Sequence, residues 1–236
     1  LTIFVSKVSQ YYYMERMEKP GFAPEFGGPQ TSIEVYDVTD RVNPSLARNV
    51  TIDGMYMNSR MIGDYVYAVL NSPAYVTEAK EVYLPSMIDK GEAETIEPTS
   101  IYYSNVTDYS YSLTMIVSIN VKDDQKPINV QNFLIGYTGA MYVSADNIFI
   151  AMPKYVPEGT ETTEIHKIRI DQGKITYVAN GAVPGYVLNQ FSMDEYNDYF
   201  RIATTLNNFA PRPLLTVATS DDKADNSTVS TSPEPT

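Results

Sequence analysis

The chain has 236 residues, with 17 basic against 29 acidic side chains, a net charge of −12, one histidine and no cysteine. That balance repels phosphate backbones and anionic lipid, so nucleic acid is not an expected partner. The lack of cysteine excludes disulfides, thiolate metal sites and a cysteine nucleophile. Tyrosine, phenylalanine and β-branched residues are frequent and no segment carries a long helical period, so the chain reads as all-β. No apolar run approaches the roughly 20 residues that a membrane-spanning helix needs.

In chain order, residues 1–6 read as a strand, followed by a Gly/Pro-rich stretch that opens on Tyr11, Tyr12 and Tyr13 and runs to Pro29. Residues 32–40 form the next predicted strand, which passes through an Asn43-Pro44 turn to another at 46–50. A strand beginning near Gly54 follows, then a Gly63-Asp64 turn and an apolar strand at 65–70. An insertion rich in Tyr, Glu, Pro and Ser occupies about residues 71–111. Strands resume at 115–121, and after Gly136 and Gly139 a second hairpin turns at Ala145-Asp146. Residues 164–171 and a strand predicted at 186–191, near Gly185, lead to a third hairpin, whose turn is expected to be longer and to hold Asp194, Glu195, Asn197 and Asp198.

The hairpin recurs three times, at residues 61–69, 143–151 and 196–203, each a polar turn followed by a mostly apolar strand. Four short strands per unit, repeated, predict a β-propeller of four-stranded antiparallel blades over residues 1–218, as a partial ring. The insertion interrupts one blade between its second and third strands. Residues 214–218 offer a last short strand, and 219–236 are too polar to bury and are expected to be disordered.

Tyr186-Val187-Leu188-Asn189-Gln190-Phe191, continuing to Asn197 and through Phe200-Arg201-Ile202-Ala203, resembles a family of secreted archaeal and bacterial proteins carrying a β-propeller domain distantly related to WD40 repeats. So do residues 59–67, and Tyr36-Asp37-Val38-Thr39-Asp40 with Asn43-Pro44. The resemblance covers most of residues 1–205 and lapses at residues 206–213. It implies an extracellular or cell-surface propeller, usually part of a longer chain, and no activity. It carries no catalytic residues.

Candidate sites follow from side-chain chemistry. The predicted innermost strands present Asn58, Arg60, Asn189 and Gln190, which could bond neighbouring blades or a polar ligand in a central channel. Tyr102 and Tyr103, with Tyr109 and Tyr111, end the insertion, and clustered loop tyrosines suit protein or carbohydrate partners or cover blade edges. No cofactor is expected, although the oxygen-rich Asp194, Glu195, Asn197 and Asp198 would suit calcium if they shared a loop. His166, the lone histidine, reads as a packed strand residue. Three sequons, at Asn49, Asn105 and Asn226, are compatible with surface glycosylation. The expectation is a non-catalytic extracytoplasmic binding or scaffold module, joined by the remaining blades of a longer chain. The alternative is a hydrolase acting on polysaccharide or peptide at the channel face.

Overall fold

The computed structural model describes residues 1–7, 28–74, 82–103, 112–155 and 161–206. Tyr11, Tyr12, Tyr13, Tyr109, Tyr111, the predicted strand at 214–218, the polar tail and the sequons at Asn105 and Asn226 lie outside them. The described residues form strands and two short 3-10 turns, with no α-helix.

The first sheet comprises β1 (Thr2–Lys7), β2 (Gln30–Asp37) and β3 (Ser45–Asp53). The second is built on β4 (Met55–Ile62) and β5 (Tyr65–Pro73). Within the insertion, β6 (Ser86–Asp89), β7 (Glu92–Thr95) and β8 (Ile101–Tyr103) then precede β9 (Ser112–Asn120) and β10 (Asn129–Leu134). The third contains β11 (Ala140–Val143), β12 (Asn147–Tyr155), β13 (Glu161–Asp171) and β14 (Lys174–Pro184). A last hairpin pairs β15 (Met193–Tyr196) with β16 (Tyr199–Ile202).

The sheet orders are β1-β2-β3-β6-β7, β4-β5-β9-β10-β8, β11-β12-β13-β14 and β15-β16. Two blades are therefore five-stranded, which corrects the uniform four-stranded expectation. The insertion divides its strands between two blades. Its β6–β7 hairpin extends the first blade beyond β3, while β8 adds in parallel to β10 at the outer edge of the second. An edge strand exposes unpaired N–H and C=O groups, and these additions cover two such edges.

Burial explains the continuous apolar runs. Along β5, Tyr67 and Val69 face the third blade and Ala68 and Leu70 face the first; all nine positions of β9 are buried. The second blade is thus sandwiched between its neighbours, and the polar side chains that β9 buries are hydrogen-bonded: the Thr114 hydroxyl donates to the Gly136 carbonyl and the Ser118 hydroxyl to the Gly173 carbonyl. One apolar layer holds Val69, Ile116, Phe133, Ile150 and Ile168; the other holds Ile33, Val50, Leu70, Met115 and Val117.

Charge ties the insertion to both blades it spans. Arg48 on β3, 5% exposed, clasps Asp89 of β6 through Nε at 3.1 Å and Nη2 at 2.6 Å, while its Nη1 donates to the Lys126 carbonyl of the second blade. Asp53 similarly accepts from the Tyr83 hydroxyl and from the Ser86 backbone and hydroxyl.

The third hairpin departs from its predicted layout. Residues 186–189 form no strand: a 3-10 turn spans Gln190–Ser192, and the innermost strand is Met193–Tyr196. Gly185 sits at φ +85°, where a Cβ would come 2.4 Å from the Thr205 carbonyl oxygen, so the backbone can make this approach only without a side chain. Asn189 then caps the turn, its Oδ1 accepting from the Phe191 N–H at 2.9 Å. Asp194 and Glu195 consequently lie on β15, and the turn is a two-residue one, Asn197-Asp198, with φ of 50° and 65°. That is the backbone of a type I′ hairpin, which Asn and Asp tolerate.

Candidate functional site

The alternation of β4 is broken once. Tyr56 pairs with Leu70 and Asn58 with Val69, leaving Met57 as an extra residue. A bulge re-aims the side chains beyond it. Tyr56 faces the first blade, where it stacks on Phe4 with centroids 4.6 Å apart. Met57 and the next residue, Asn58, both serve the side toward the third blade, and Arg60 shares the face of Asn58.

These residues open onto a cleft of about 310 Å³. Met57, Asn58 and Val69 supply the wall from the second blade; Thr138, Gly139, Ala140 and Met141 supply that of the third; Leu188, Asn189, Gln190 and Phe191 close it from the last hairpin's approach. The polar groups meet at its mouth. Asn58 Nδ2 donates to Gln190 Oε1 at 3.5 Å, Arg60 Nη2 donates to the same oxygen at 3.3 Å, and Arg60 Nη1 donates to Asn58 Oδ1 at 3.4 Å and to the Ser59 carbonyl at 2.9 Å. Asn58, Arg60, Asn189 and Gln190 are thus brought together, although the last two come from a loop and 3-10 turn instead of a strand. Phe191 and Leu188, 86% and 71% exposed, stand at the same mouth.

Tyr102 and Tyr103 lie elsewhere. They sit on β8, four strands outward from β4 in the same sheet. Tyr102 stacks on Phe133 at 5.5 Å and on Tyr177 at 6.3 Å, sealing the blade edge, while Tyr103 is exposed.

Of the four oxygen-bearing residues of the third hairpin, Asp194 and Glu195 are engaged separately on β15, while Asn197 and Asp198 form the turn. Asp194 pairs with Arg201 and accepts from the Tyr142 hydroxyl. Glu195 accepts from Ser144 Oγ at 2.5 Å, Asn147 Nδ2 at 3.0 Å and Lys167 Nζ at 3.1 Å, which pins the hairpin to the third blade. Phe200, its cross-strand neighbour, stacks on Phe149 at 4.1 Å. Among the described residues no group of three or more His, Cys, Asp or Glu side chains could hold a metal ion.

His166 is fully buried, its Nδ1 3.0 Å from the Tyr177 hydroxyl and its Nε2 3.4 Å from Glu164. Burial pushes its pKa down, partly offset by the nearby Glu164 carboxylate, and the net shift favours the neutral ring. It lies on the third strand of its blade, away from the cleft lining. The described lining carries no Asp, Glu, Ser or His, and its one hydroxyl, on Thr138, is buried and bonded to the Thr114 hydroxyl at 3.0 Å.

Glu195 gives a pH prediction. Burial pushes its carboxyl up, but donation from Ser144, Asn147 and Lys167, together with the Lys167 charge, outweighs this and holds it below its ordinary value. A carboxyl that titrates lower when folded stabilises fully above its unfolded pKa of about 4.3, and that contribution is lost as pH falls through the lower folded value. Phe200 ring resonances should therefore hold steady on acidification through the ordinary carboxylate range and report undocking only below it. Glu195→Gln should weaken that acid transition, leaving the part due to Asp194, which Arg201 holds low on the same hairpin; an unchanged acid transition in the variant would refute the assignment.

Comparison with known proteins adds the lineage. The family described as "Beta propeller domain" matches residues 1–231. An uncharacterized protein of Methanocaldococcus jannaschii is 44% identical over 59 residues, 25% of this chain and 9% of that protein. An uncharacterized protein of Archaeoglobus fulgidus is 49% identical over 45 residues, 18% of this chain and 7% of its own length. The matched stretches are thus small parts of both relatives.

Proposed function

This chain belongs to the β-propeller domain family, and from that premise we propose that it is a non-catalytic, extracytoplasmic binding module whose ligand site is the cleft between β4, β11 and the turn at Gln190–Ser192. The observation that carries the reading is the cleft's chemistry. An apolar floor of Met57, Val69 and Met141 lies beneath a mouth of amides and one guanidinium, and no carboxylate lines it. Pockets that bind small ligands combine apolar walls with a few placed polar groups in this way, whereas hydrolysis needs an acid, base or nucleophile within reach of the bond.

Placement outside the cytoplasm, at or beyond the cell surface, is supported by the resemblance to secreted propellers. The acidic, cysteine-free composition and the exposed Asn49 of the first sequon are compatible with it. Among the described residues the β15–β16 hairpin has two strands where the other sheets have four or five, and further strands paired to it would complete a fourth blade.

Capture of peptide and oligosaccharide pools tests the proposal, followed by mass analysis of what is retained. Ala140→Phe, which fills the cleft from the β11 wall, should abolish retention, and the retained molecules should be uncleaved. Cleavage products would move the protein to the enzymes; retention unchanged by Ala140→Phe would place binding on another surface.

A further inference from the structure

The hydrogen-bond balance at the cleft mouth restricts what it can accept. Arg60 donates only, so it fixes the neighbouring amides with their oxygens turned toward it. Asn58 Oδ1 already accepts from the Ser59 N–H and from Arg60, Gln190 Oε1 accepts from Asn58 and Arg60, and Asn189 Oδ1 accepts from the Phe191 N–H. Every side-chain amide oxygen at the mouth is therefore engaged. What remains are mainly donors: the Gln190 and Asn189 amide N–H groups, the second N–H of Asn58, and two of the five guanidinium N–H groups of Arg60, beside one lone pair on Asn189 Oδ1.

Those two guanidinium groups are Nε–H and one on Nη2, since Nη1 donates to Asn58 and Ser59 and Nη2 to Gln190. Arg48 in the same protein shows what the Nε/Nη2 edge does when a carboxylate is present: it grips Asp89 with both nitrogens. Arg48 and Arg201 each hold an aspartate. Arg60, like Arg41 and Arg169, pairs with no carboxylate among the described residues, but it is oriented by the neutral oxygens of Asn58, Ser59 and Gln190. What distinguishes Arg60 is that its guanidinium is oriented at the cleft mouth by neutral oxygens, in a chain whose acidic residues outnumber basic ones 29 to 17.

We propose that the cleft binds the C-terminal end of a peptide, with the terminal carboxylate on the Nε/Nη2 edge of Arg60 and an apolar last side chain on Met57, Val69 and Met141. This rests on the reading of the cleft as the binding site. Two-pronged guanidinium–carboxylate contact gives direction as well as strength. The spare amide donors suit the carbonyl of the preceding residue, and a volume near 310 Å³ suits one terminal residue and its neighbour instead of a folded partner. The thioether and valine floor favours an aliphatic side chain over the hydroxyls of a sugar acid.

Calorimetric or NMR titration with N-acetyl-leucine, N-acetyl-leucinamide and glucuronate tests the assignment on the whole chain. Ligands this small are expected to bind with Kd on the order of 1 mM. N-acetyl-leucine should bind about tenfold or more tightly than the amide. Arg60→Gln should remove that preference and Arg60→Lys restore only part of it. The exposed position of Arg60 makes both variants expected to fold, which circular dichroism checks. Equal binding of acid and amide, or glucuronate binding as tightly as N-acetyl-leucine, would overturn the peptide-terminus assignment. If none of the three binds while captured molecules still depend on the open cleft, the carboxylate assignment fails and the binding site stands; if capture also ignores Ala140→Phe, both fail.

Discussion

Replacing Asp89 with alanine is expected to destabilise the fold by about 3 kcal/mol, a fall in melting temperature of about 6–12 °C for a domain of this size. The cost arises because Arg48, with only 4% of its side chain exposed, would keep its charge and lose the carboxylate that balances it. Removing one partner of a buried ion pair typically costs about 3–5 kcal/mol, and the 22% exposure of Asp89 places this case at the lower end. The Arg48→Met, Asp89→Leu double variant should recover most of the loss, since it removes both charges and fills their space. Thermal denaturation of the two variants beside the parent chain checks this. Equal losses in the single and double variants would mean that the pair does not couple the insertion to the blades it spans.

Phe133→Ala should cost about 3–5 kcal/mol. The ring is fully buried in the layer between the second and third blades, stacked on Tyr102 from β8 and 5.8 Å from Tyr177 on β14. Its loss opens a cavity at the point where the insertion seals the blade edge, so protection of the Ile101–Tyr103 amides in hydrogen exchange should fall more than that of β5. Phe133→Leu keeps much of the volume and should cost less than about 1.5 kcal/mol. Denaturant midpoints give the energies; a loss below about 1 kcal/mol for the alanine variant would contradict the packing described.

The strands of the blade interior were legible because their environment is severe. β5 and β9 are covered on both faces, and their runs of apolar residues announce it. β4 was harder. Its position followed from Gly54 and the Gly63-Asp64 turn, but nothing in Met55-Tyr56-Met57-Asn58 reveals that the bulge falls at Met57, and the bulge is what aims two consecutive residues into the cleft. Within the insertion, the Lys90-Gly91 turn of β6–β7, with φ of 51° and 83°, was a readable hairpin signal hidden in a polar stretch.

The stretch at 186–191 misled for a physical reason. Leu188 and Phe191 look like strand residues seeking a core, yet both are exposed at the cleft mouth. The available clue was Asn189, whose side chain caps the turn that displaces β15 by several residues. That displacement also separates Asp194 and Glu195 from the turn and gives each its own basic partner, Arg201 and Lys167. Asn58, Arg60, Asn189 and Gln190 converge despite the misplaced strand, because the bulge at Met57 turns Asn58 and Arg60 toward the third blade and the 3-10 turn carries Gln190 to meet them.

The central claim, that the cleft is the ligand site, is tested most directly by methyl NMR on protein labelled at its ten methionines. Met57 and Met141 line the cleft, Met87 borders a separate hollow near the insertion, and Met115 is buried in the other apolar layer. On titration with a chymotryptic peptide digest, the account predicts saturable shifts of the Met57 and Met141 methyls while Met87 and Met115 stay fixed. Shifts led by Met87, or no response at Met57 and Met141 to a digest that the protein demonstrably retains, would contradict it.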